Sequence, residues 1–268
     1  MARFFVGVLR RALPARSAIL GGCLLGLLTL GFPRLGSTQG APARSIIHLV
    51  VMKLEIRGYQ SAYQDIAEGT GFFITASGIA LTNSHVVSLA RKLPSTYKVM
   101  AIVGGEFYGA ALVCADALAD DTGGRLVPSR DVAEIQLMPP DLPFEELSFR
   151  GVGFARAHRG PLPAFFALAL GASPAVGDPV RVLGFGHQGD AALPLEWSAP
   201  GTVRDLGRAS DGTQIFGIKF EGEAEPGHSG SPVLNRQGEV VGILTWTIAS
   251  DRTWGIAISR TALDPVCL

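Results

Sequence analysis

The chain has 268 residues, 47% of them hydrophobic and 17% charged, with 34 glycines and 17 prolines. This composition favours a turn-rich β protein of one or two close-packed halves over a helical bundle or a disordered chain, and it excludes a coiled coil. The net charge is zero, but six of the 23 basic residues lie in the first 44 positions, where no acid occurs, so the remainder has 17 basic and 23 acidic residues. An acidic remainder argues against nucleic acid as a partner, because phosphate binding needs clustered positive charge.

The N-terminus has the pattern of an export signal. A basic stretch precedes the uncharged run Ser17–Phe32, and small residues follow it. The run has 16 residues, somewhat short of the ~20 that comfortably span a membrane, which favours a cleaved signal and leaves an uncleaved anchor open. We therefore expect residues 1–44 to be a signal peptide or N-terminal membrane anchor, and the protein to be periplasmic or secreted, with no other membrane contact.

The three cysteines indicate whether the chain is suited to an oxidising compartment, where disulfides persist. Cys23 lies within the apolar run, which leaves Cys114 and Cys267 in the rest of the chain. An even pair in an exported chain is compatible with a disulfide. Two buried free thiols are the other interpretation, and both stay open.

After residue 44, short apolar stretches alternate with Gly and Pro, which is typical of a β-sandwich or β-barrel. The expected strands are Ile46–Ile56, Gly71–Thr75, Ile79–Thr82, Tyr97–Val103, Ala110–Cys114, Val132–Leu137, Phe165–Leu170, Val180–Gly184, Phe216–Phe220, Val240–Trp246 and Trp254–Ile258. The Pro-rich stretch Pro139–Pro163 divides them into two groups, and we expect it to link two halves.

Three segments carry candidate chemistry. In Glu225–Leu234 (EPGHSGSPVL), glycines flank Ser229, as a nucleophile needs where the backbone bends sharply to aim N–H groups at a developing oxyanion. In Gly69–Val87 two strands lead to His85, which we expect at a strand end, where a general base is both fixed and reachable. Asp131 opens an alternating strand. Taken singly, each of the three is more often structural.

Together, in the order His, Asp, Ser, the three segments resemble the trypsin-like serine peptidases, especially the bacterial glutamyl-endopeptidase and HtrA-like branches. The resemblance covers roughly residues 45–262. It implies an all-β fold of two six-stranded antiparallel barrels with the active site in the cleft between them. The first barrel would span about 45–145 and the second about 164–262, followed by a tail at 263–268. Because only ten residues follow the last expected strand, which ends at Ile258, we expect no C-terminal PDZ domain.

The resemblance also implies the roles of the site residues. Ser229 would be the nucleophile, His85 the general base and Asp131 its orienting acid, while the N–H groups of Gly227 and Ser229 would form the oxyanion hole. No metal or cofactor is required, and the substrates would be proteins or peptides. A peptidase-like binding protein without turnover is the alternative, whereas an α/β-hydrolase esterase would place Ser before His. The sequence does not indicate an oligomeric state.

Residues further along the chain bear on specificity and activation. By resemblance, Thr245-Trp246-Thr247 would be the edge to which a substrate adds as a strand. Thr247 would narrow the specificity pocket, so we expect small or medium apolar residues before the cleaved bond. Glu223 could attract basic side chains, although a solvated loop residue is the commoner interpretation.

Two further expectations concern residues near the triad. We expect the side chain of His228 to be exposed and not catalytic, and activity to need no new N-terminus, because a histidine there cannot hold an ammonium as a carboxylate would. Three other acids compete with Asp131 for the triad role but lie in a loop-like setting without a following strand: Asp116, Asp120 and Asp121.

Overall fold

Strands dominate the computed structural model, which describes residues 44–57, 60–116, 129–142, 145–149, 153–186, 195–225, 227–248 and 250–263. The strands before residue 160 are β1 (Ile46–Arg57), β2 (Gln60–Phe73), β3 (Ile79–Thr82), β4 (Tyr97–Val103), β5 (Glu106–Ala115), β6 (Ala133–Met138), β7 (Glu146–Phe149) and β8 (Gly153–Ala157). Those after it are β9 (Pro179–Gly186), β10 (Leu195–Arg208), β11 (Gln214–Phe220), β12 (Pro232–Leu234), β13 (Val240–Ile248) and β14 (Asp251–Ser259). One α-helix, α1 (Ser84–Lys92), and one 3₁₀ turn (Arg260–Ala262) complete the described elements.

The first barrel is an antiparallel ring in the order β4-β1-β2-β3-β6-β5, closed by pairing between β4 and β5. Its strands alternate inward and outward, and β6 is a clear case because Ala133, Ile135 and Leu137 are buried between less buried neighbours. These side chains share one core with Leu49 and Phe73. A hairpin of β7 and β8 extends the sheet through a parallel pairing of β8 with β5.

The second barrel closes in the order β10-β11-β14-β13-β12-β9, and its interior includes Trp197, Ile218 and Val233. A further apolar cluster joins side chains of both barrels, among them Leu81 of β3 and Ile243 of β13. Burial on both sides of this contact fixes the two barrels against each other, because apolar area removed from water is the main source of stability. The all-β fold of two six-stranded antiparallel barrels is therefore confirmed.

One predicted strand was wrong, and several elements were not predicted. Phe165–Leu170 is not a strand, and only Leu170 forms an isolated bridge, to Val240. Phe165 instead packs in the first core, where it stacks on Phe73 with ring centroids 4.3 Å apart. Leu168 and Leu170 pack against the cluster that joins the barrels, whereas Phe166 is exposed. The sequence reading also missed α1, β10, β12 and the β7–β8 hairpin inside the Pro-rich stretch. An apolar sequence pattern indicates that side chains are buried. Tertiary packing decides whether the backbone of the same residues also pairs with a neighbouring strand.

The N-terminal signal or anchor predicted for residues 1–44 lies outside the described residues except for its last residue. Within the described ranges, no helix is both long and apolar enough to cross a membrane.

Candidate active site

His85 lies in the first turn of α1, so the prediction that it ends a strand was wrong. Strand β3 ends at Thr82, and the extended backbone of Asn83 leads into the helix. The Asn83 side chain does not cap α1; its Nδ2 donates to the Asp131 carbonyl at 2.8 Å and to Thr245 Oγ1 at 3.0 Å. Val86, beside His85, packs into the first core. Asn83 thus orients the start of the helix by tertiary hydrogen bonds.

The carboxylate of Asp131 binds His85 through both of its oxygens. Oδ2 lies 2.6 Å from His85 Nδ1, and Oδ1 accepts the backbone N–H of His85 at 2.9 Å. Asp131 is only 3% exposed, whereas the side chain of His85 is 35% exposed. Because a carboxylate only accepts, Nδ1 carries the proton of this bond and Nε2 of the neutral ring keeps its lone pair. The ring is therefore fixed in orientation and tautomer while remaining reachable.

Asp116, the alternative to Asp131 as the triad acid, makes hydrogen bonds to other residues. Its Oδ2 accepts the N–H of Val132 at 3.0 Å and lies 3.2 Å from Arg130 Nε. Burial raises the pKa of Asp116, and the bond from Val132 and the Arg130 charge offset this in part. Asp120 and Asp121 lie outside the described residues. Asp131 is thus the described acid that contacts His85.

A residue of the second barrel holds the chain next to Asp131. Asp211, between β10 and β11, accepts the backbone N–H of Arg130 at 2.6 Å and that of Thr213 at 2.9 Å. Partial burial would raise the pKa of Asp211, but these hydrogen bonds outweigh it and lower the pKa. The sequence offered no signal for this contact, because its two partners are 81 residues apart.

Ser229 lies on a tight loop that depends on its glycines. Gly227 and Gly230 have φ of +99° and +88°, a region that L side chains rarely adopt. A Cβ on Gly230 would also lie 2.0 Å from the Thr70 carbonyl oxygen. Ser229 Oγ donates a long hydrogen bond of 3.5 Å to the Thr245 carbonyl. Within the described part of the chain, the N–H groups of Gly227 and Ser229 donate no hydrogen bond to the protein.

Thr70 of β2 ties this loop to the first barrel. Its N–H donates to the Ser229 carbonyl at 2.8 Å, and its hydroxyl donates to the Gly227 carbonyl at 2.9 Å. The same hydroxyl accepts the N–H of Phe185 from β9 at 2.9 Å. The sequence reading missed Thr70, although it lies inside the quoted Gly69–Val87 segment.

The helix that carries His85 and the loop that carries Ser229 approach the same point of β2. A Cβ on Gly69 would lie 2.6 Å from a methyl group of Val86 and 3.3 Å from the Ser229 carbonyl oxygen. Only glycine leaves room for both contacts. The structure thus brings His85, Asp131 and Ser229 into one region.

His228, which precedes Ser229, is buried, so the prediction of an exposed side chain was wrong. It is 1% exposed, and its ring stacks on Trp197 of β10 with centroids 3.9 Å apart and planes at 17°. Its Nδ1 accepts the backbone N–H of Glu225 at 2.8 Å. No pattern in the sequence pairs His228 with Trp197, 31 positions earlier.

The predicted substrate-binding residues differ in exposure. Thr245 is buried, and its hydroxyl accepts from Asn83 and donates to the Ile243 carbonyl at 3.2 Å. Trp246 is half-buried, and Thr247 and Glu223 are exposed. Strand β13 pairs with β14 on one side along this stretch, and its pairing with β12 on the other side ends at Ile243. The other edge of residues 245–247 is therefore open among the described strands.

Cys114 forms a disulfide whose partner lies outside the described residues. The pairing with Cys267 remains a prediction. In the described ranges, no group of three or more His, Cys, Asp or Glu side chains is arranged to hold a metal ion.

Comparisons with known proteins agree with this fold. The protein resembles the active form of the Rv3671c protease from M. tuberculosis with a TM-score of 0.53, at 22% identity over 84% of this chain and 79% of that one. At this identity the likeness concerns the fold alone.

Curated relatives are similar in sequence as well. The serine protease HTRA2, mitochondrial, of Bos taurus is 26% identical over 217 residues, which cover 78% of this chain and 39% of that protein. A probable periplasmic serine endoprotease DegP-like of Chlamydia muridarum is 28% identical over 189 residues, 68% of this chain and 29% of that protein. The chain thus spans less than half the length of these two relatives. Residues 69–243 match the trypsin-like peptidase domain, and the chain therefore belongs to this family.

Proposed function

We propose that the protein is an exported serine endopeptidase that hydrolyses peptide bonds through an acyl-enzyme intermediate. The observation that carries the proposal is the double contact of Asp131 with His85, at 2.6 Å to Nδ1 and 2.9 Å to the backbone N–H. A carboxylate that serves only packing has no need to fix both the tautomer and the position of one half-buried imidazole. A general base needs both.

In this mechanism, rotation about the Cα–Cβ bond of Ser229 frees Oγ from its long bond to the Thr245 carbonyl and turns it toward His85. Oγ attacks the scissile carbonyl while His85 Nε2 takes its proton, and Asp131 stabilises the resulting imidazolium. The N–H groups of Gly227 and Ser229 would stabilise the oxyanion. His85 then gives the proton to the leaving amine, and water hydrolyses the acyl-enzyme by the same steps.

The open edge of β13 supports an extended peptide as substrate. Residues Thr245, Trp246 and Thr247 would pair with it as an added strand, which uses main-chain hydrogen bonds and tolerates many sequences. The exposed Thr247 opposes Gly255 across β13 and β14, and its β-branched side chain would restrict the pocket to small or medium apolar residues. The exposed Glu223 carboxylate would stay solvated outside it.

Export is supported by two independent observations. Cys114 is disulfide-bonded, and disulfides persist mainly in oxidising compartments. Two relatives, from two Chlamydia species, are named as probable periplasmic endoproteases. Residues 1–44 would direct the export, as a cleaved signal or as an anchor.

Labelling with a fluorophosphonate tests the nucleophile. The wild-type protein should be labelled covalently, and Ser229→Ala should not, while Ser198→Ala, at an exposed position of β10, should be labelled like the wild type. Mass spectrometry of the labelled peptide should place the adduct on Ser229. A folded wild-type protein that binds peptides without being labelled would instead support the alternative of an inactive, peptidase-like binding protein.

A further inference from the structure

The loop before Ser229 is built around a buried histidine. The backbone turns so that the N–H of His228 donates to the Glu225 carbonyl at 3.2 Å and the N–H of Ser231 donates to the His228 carbonyl at 3.1 Å. The side chain of His228 then folds back onto the start of the same turn, where Nδ1 accepts the Glu225 N–H at 2.8 Å. One residue thus contacts both ends of the turn that contains Gly227 and Ser229.

The hydrogen bond from Glu225 defines the chemical state of the ring. A backbone N–H can only donate, so Nδ1 must present a lone pair and the imidazole must be neutral with its proton on Nε2. An aliphatic side chain in this place would leave the Glu225 N–H without its acceptor in a part-buried turn, which is costly.

The second barrel provides a fitted seat for the ring. One face stacks on Trp197 at 3.9 Å, and the Nε2 side lies against Gly186 at the end of β9. A Cβ on Gly186 would lie 2.0 Å from Nε2. A glycine is therefore required at this position while the imidazole is in place.

We propose that His228 is a positioning residue that holds the oxyanion loop in its competent shape, through the Glu225 hydrogen bond and the seat formed by Trp197 and Gly186. The proposal rests on the proposed peptidase function. It assigns the ordering of the loop to a neutral side chain that is already in place, so no charged partner has to be delivered by cleavage elsewhere in the chain. His228 itself does not touch the substrate.

Two substitutions of nearly equal shape separate the hydrogen bond from packing. His228→Asn keeps an acceptor at the δ1 position, and His228→Leu replaces it with a methyl group, while both lose the stacking on Trp197. The assay is acylation and turnover of an N-acetyl-alanine p-nitrophenyl ester, with active sites counted by fluorophosphonate titration and folding checked by circular dichroism. We expect His228→Leu to lower kcat by about 10²- to 10³-fold, the effect of losing an oxyanion donor, with KM changed less than about threefold. His228→Asn should stay within about tenfold of the wild type.

Gly186→Ala provides the second test and does not depend on the folding of His228→Leu. In the wild-type background its methyl group displaces the imidazole, and we expect kcat to fall about tenfold or more. In the His228→Asn background the ring atoms Nε2 and Cε1, at 2.0 and 3.0 Å from that methyl group, are absent, and only the atom at the Cδ2 position stays close to it. The same substitution should therefore cost clearly less than in the wild type, a coupling that a double-mutant cycle measures.

Three results would overturn the proposal: His228→Leu within threefold of the wild type, equal losses in His228→Asn and His228→Leu, or an equal cost of Gly186→Ala in both backgrounds. A folded wild-type protein that neither turns over the ester nor reacts with the fluorophosphonate would refute the peptidase function, and this proposal with it.

Discussion

The two halves of the candidate site are held in different ways. His85 and Asp131 are joined directly, within the first barrel, by two hydrogen bonds to one carboxylate. Ser229 lies on a loop of the second barrel whose shape depends on contacts with other elements, above all with Thr70 of the first barrel. The direct contacts of the base with its acid thus lie within one barrel, and Thr245 and Asp211 of the second barrel support them only through neighbouring residues. The loop of the nucleophile and the oxyanion donors, in contrast, is itself bonded across the barrels by Thr70. Substitutions between the barrels should therefore affect Ser229 more than His85.

The largest expected effect is on the base. Asp131→Asn preserves shape but offers an amide N–H or a neutral oxygen to His85, so the ring loses its charged partner and its preferred tautomer. We expect kcat to fall by about 10⁴-fold, measured on the p-nitrophenyl ester. Asp141→Asn, at an exposed position, serves as the control and should leave kcat unchanged. A loss below tenfold for Asp131→Asn would show that the acid–base pair is not part of the chemistry.

Thr70→Val tests the dependence of the nucleophile loop on the first barrel. The variant keeps the backbone bond to Ser229 and removes the hydroxyl between the Gly227 carbonyl and the Phe185 N–H. We expect kcat to fall about 10-fold or more because the loop loosens. The free energy of unfolding should fall by about 1 kcal/mol because two part-buried groups lose a hydrogen-bond partner.

Thr75→Val is the matched control for Thr70→Val. It removes the same group from a turn of the first barrel, where the Thr75 hydroxyl accepts the Ile79 N–H, and it should leave kcat unchanged. Equal kcat values for the two variants would contradict the dependence of the nucleophile loop on Thr70.

Thr247→Gly tests the open edge of β13 as a specificity element. Removing the β-branched side chain should widen the pocket and raise kcat/KM for substrates with Leu or Phe before the cleaved bond by about 10-fold, a typical value for a change in apolar pocket size. A peptide library should show small or medium apolar residues at that position for the wild type and larger ones for the variant. A wild-type profile dominated by Arg, Lys or Glu would refute this assignment.

The smallest effect is expected at Asp211, which joins the second barrel to the residue before Asp131. Its folded-state pKa is lowered, so the ionised carboxylate contributes stability at neutral pH, and this contribution is lost as pH falls through that pKa. We expect Asp211→Asn to lower the free energy of unfolding by about 1 kcal/mol or less at pH 7, because the group is largely solvated. The difference from the wild type should shrink on acidification in urea titrations. A difference that grows at low pH would contradict the assignment.

Much of the architecture could be predicted from the sequence because the positions of barrel strands follow from neighbouring residues. Strands β1, β3, β4 and β14 lie close to their expected ranges, since short apolar runs and flanking turn residues are local properties. The wrong predictions concern residues that are buried but do not belong to a hydrogen-bonded strand. Phe165 is buried in the first core, and its backbone nevertheless forms no β-ladder. The helix that carries His85 is short, and its first turn is oriented by Asn83 bonds to partners 48 and 162 residues away.

By itself, the sequence determined which segments carry chemistry, because a nucleophile between glycines, a histidine after a strand pair and an acid before a strand are readable from neighbouring positions. Only the tertiary structure decided which other residues hold these segments in place. The Thr70 hydroxyl reaches Gly227 across 157 residues, and His228 becomes buried only because Trp197 and Gly186 come to lie beside it. Such contacts depend on how the barrels close and pack. A local sequence pattern does not indicate which residues far apart in the chain will meet.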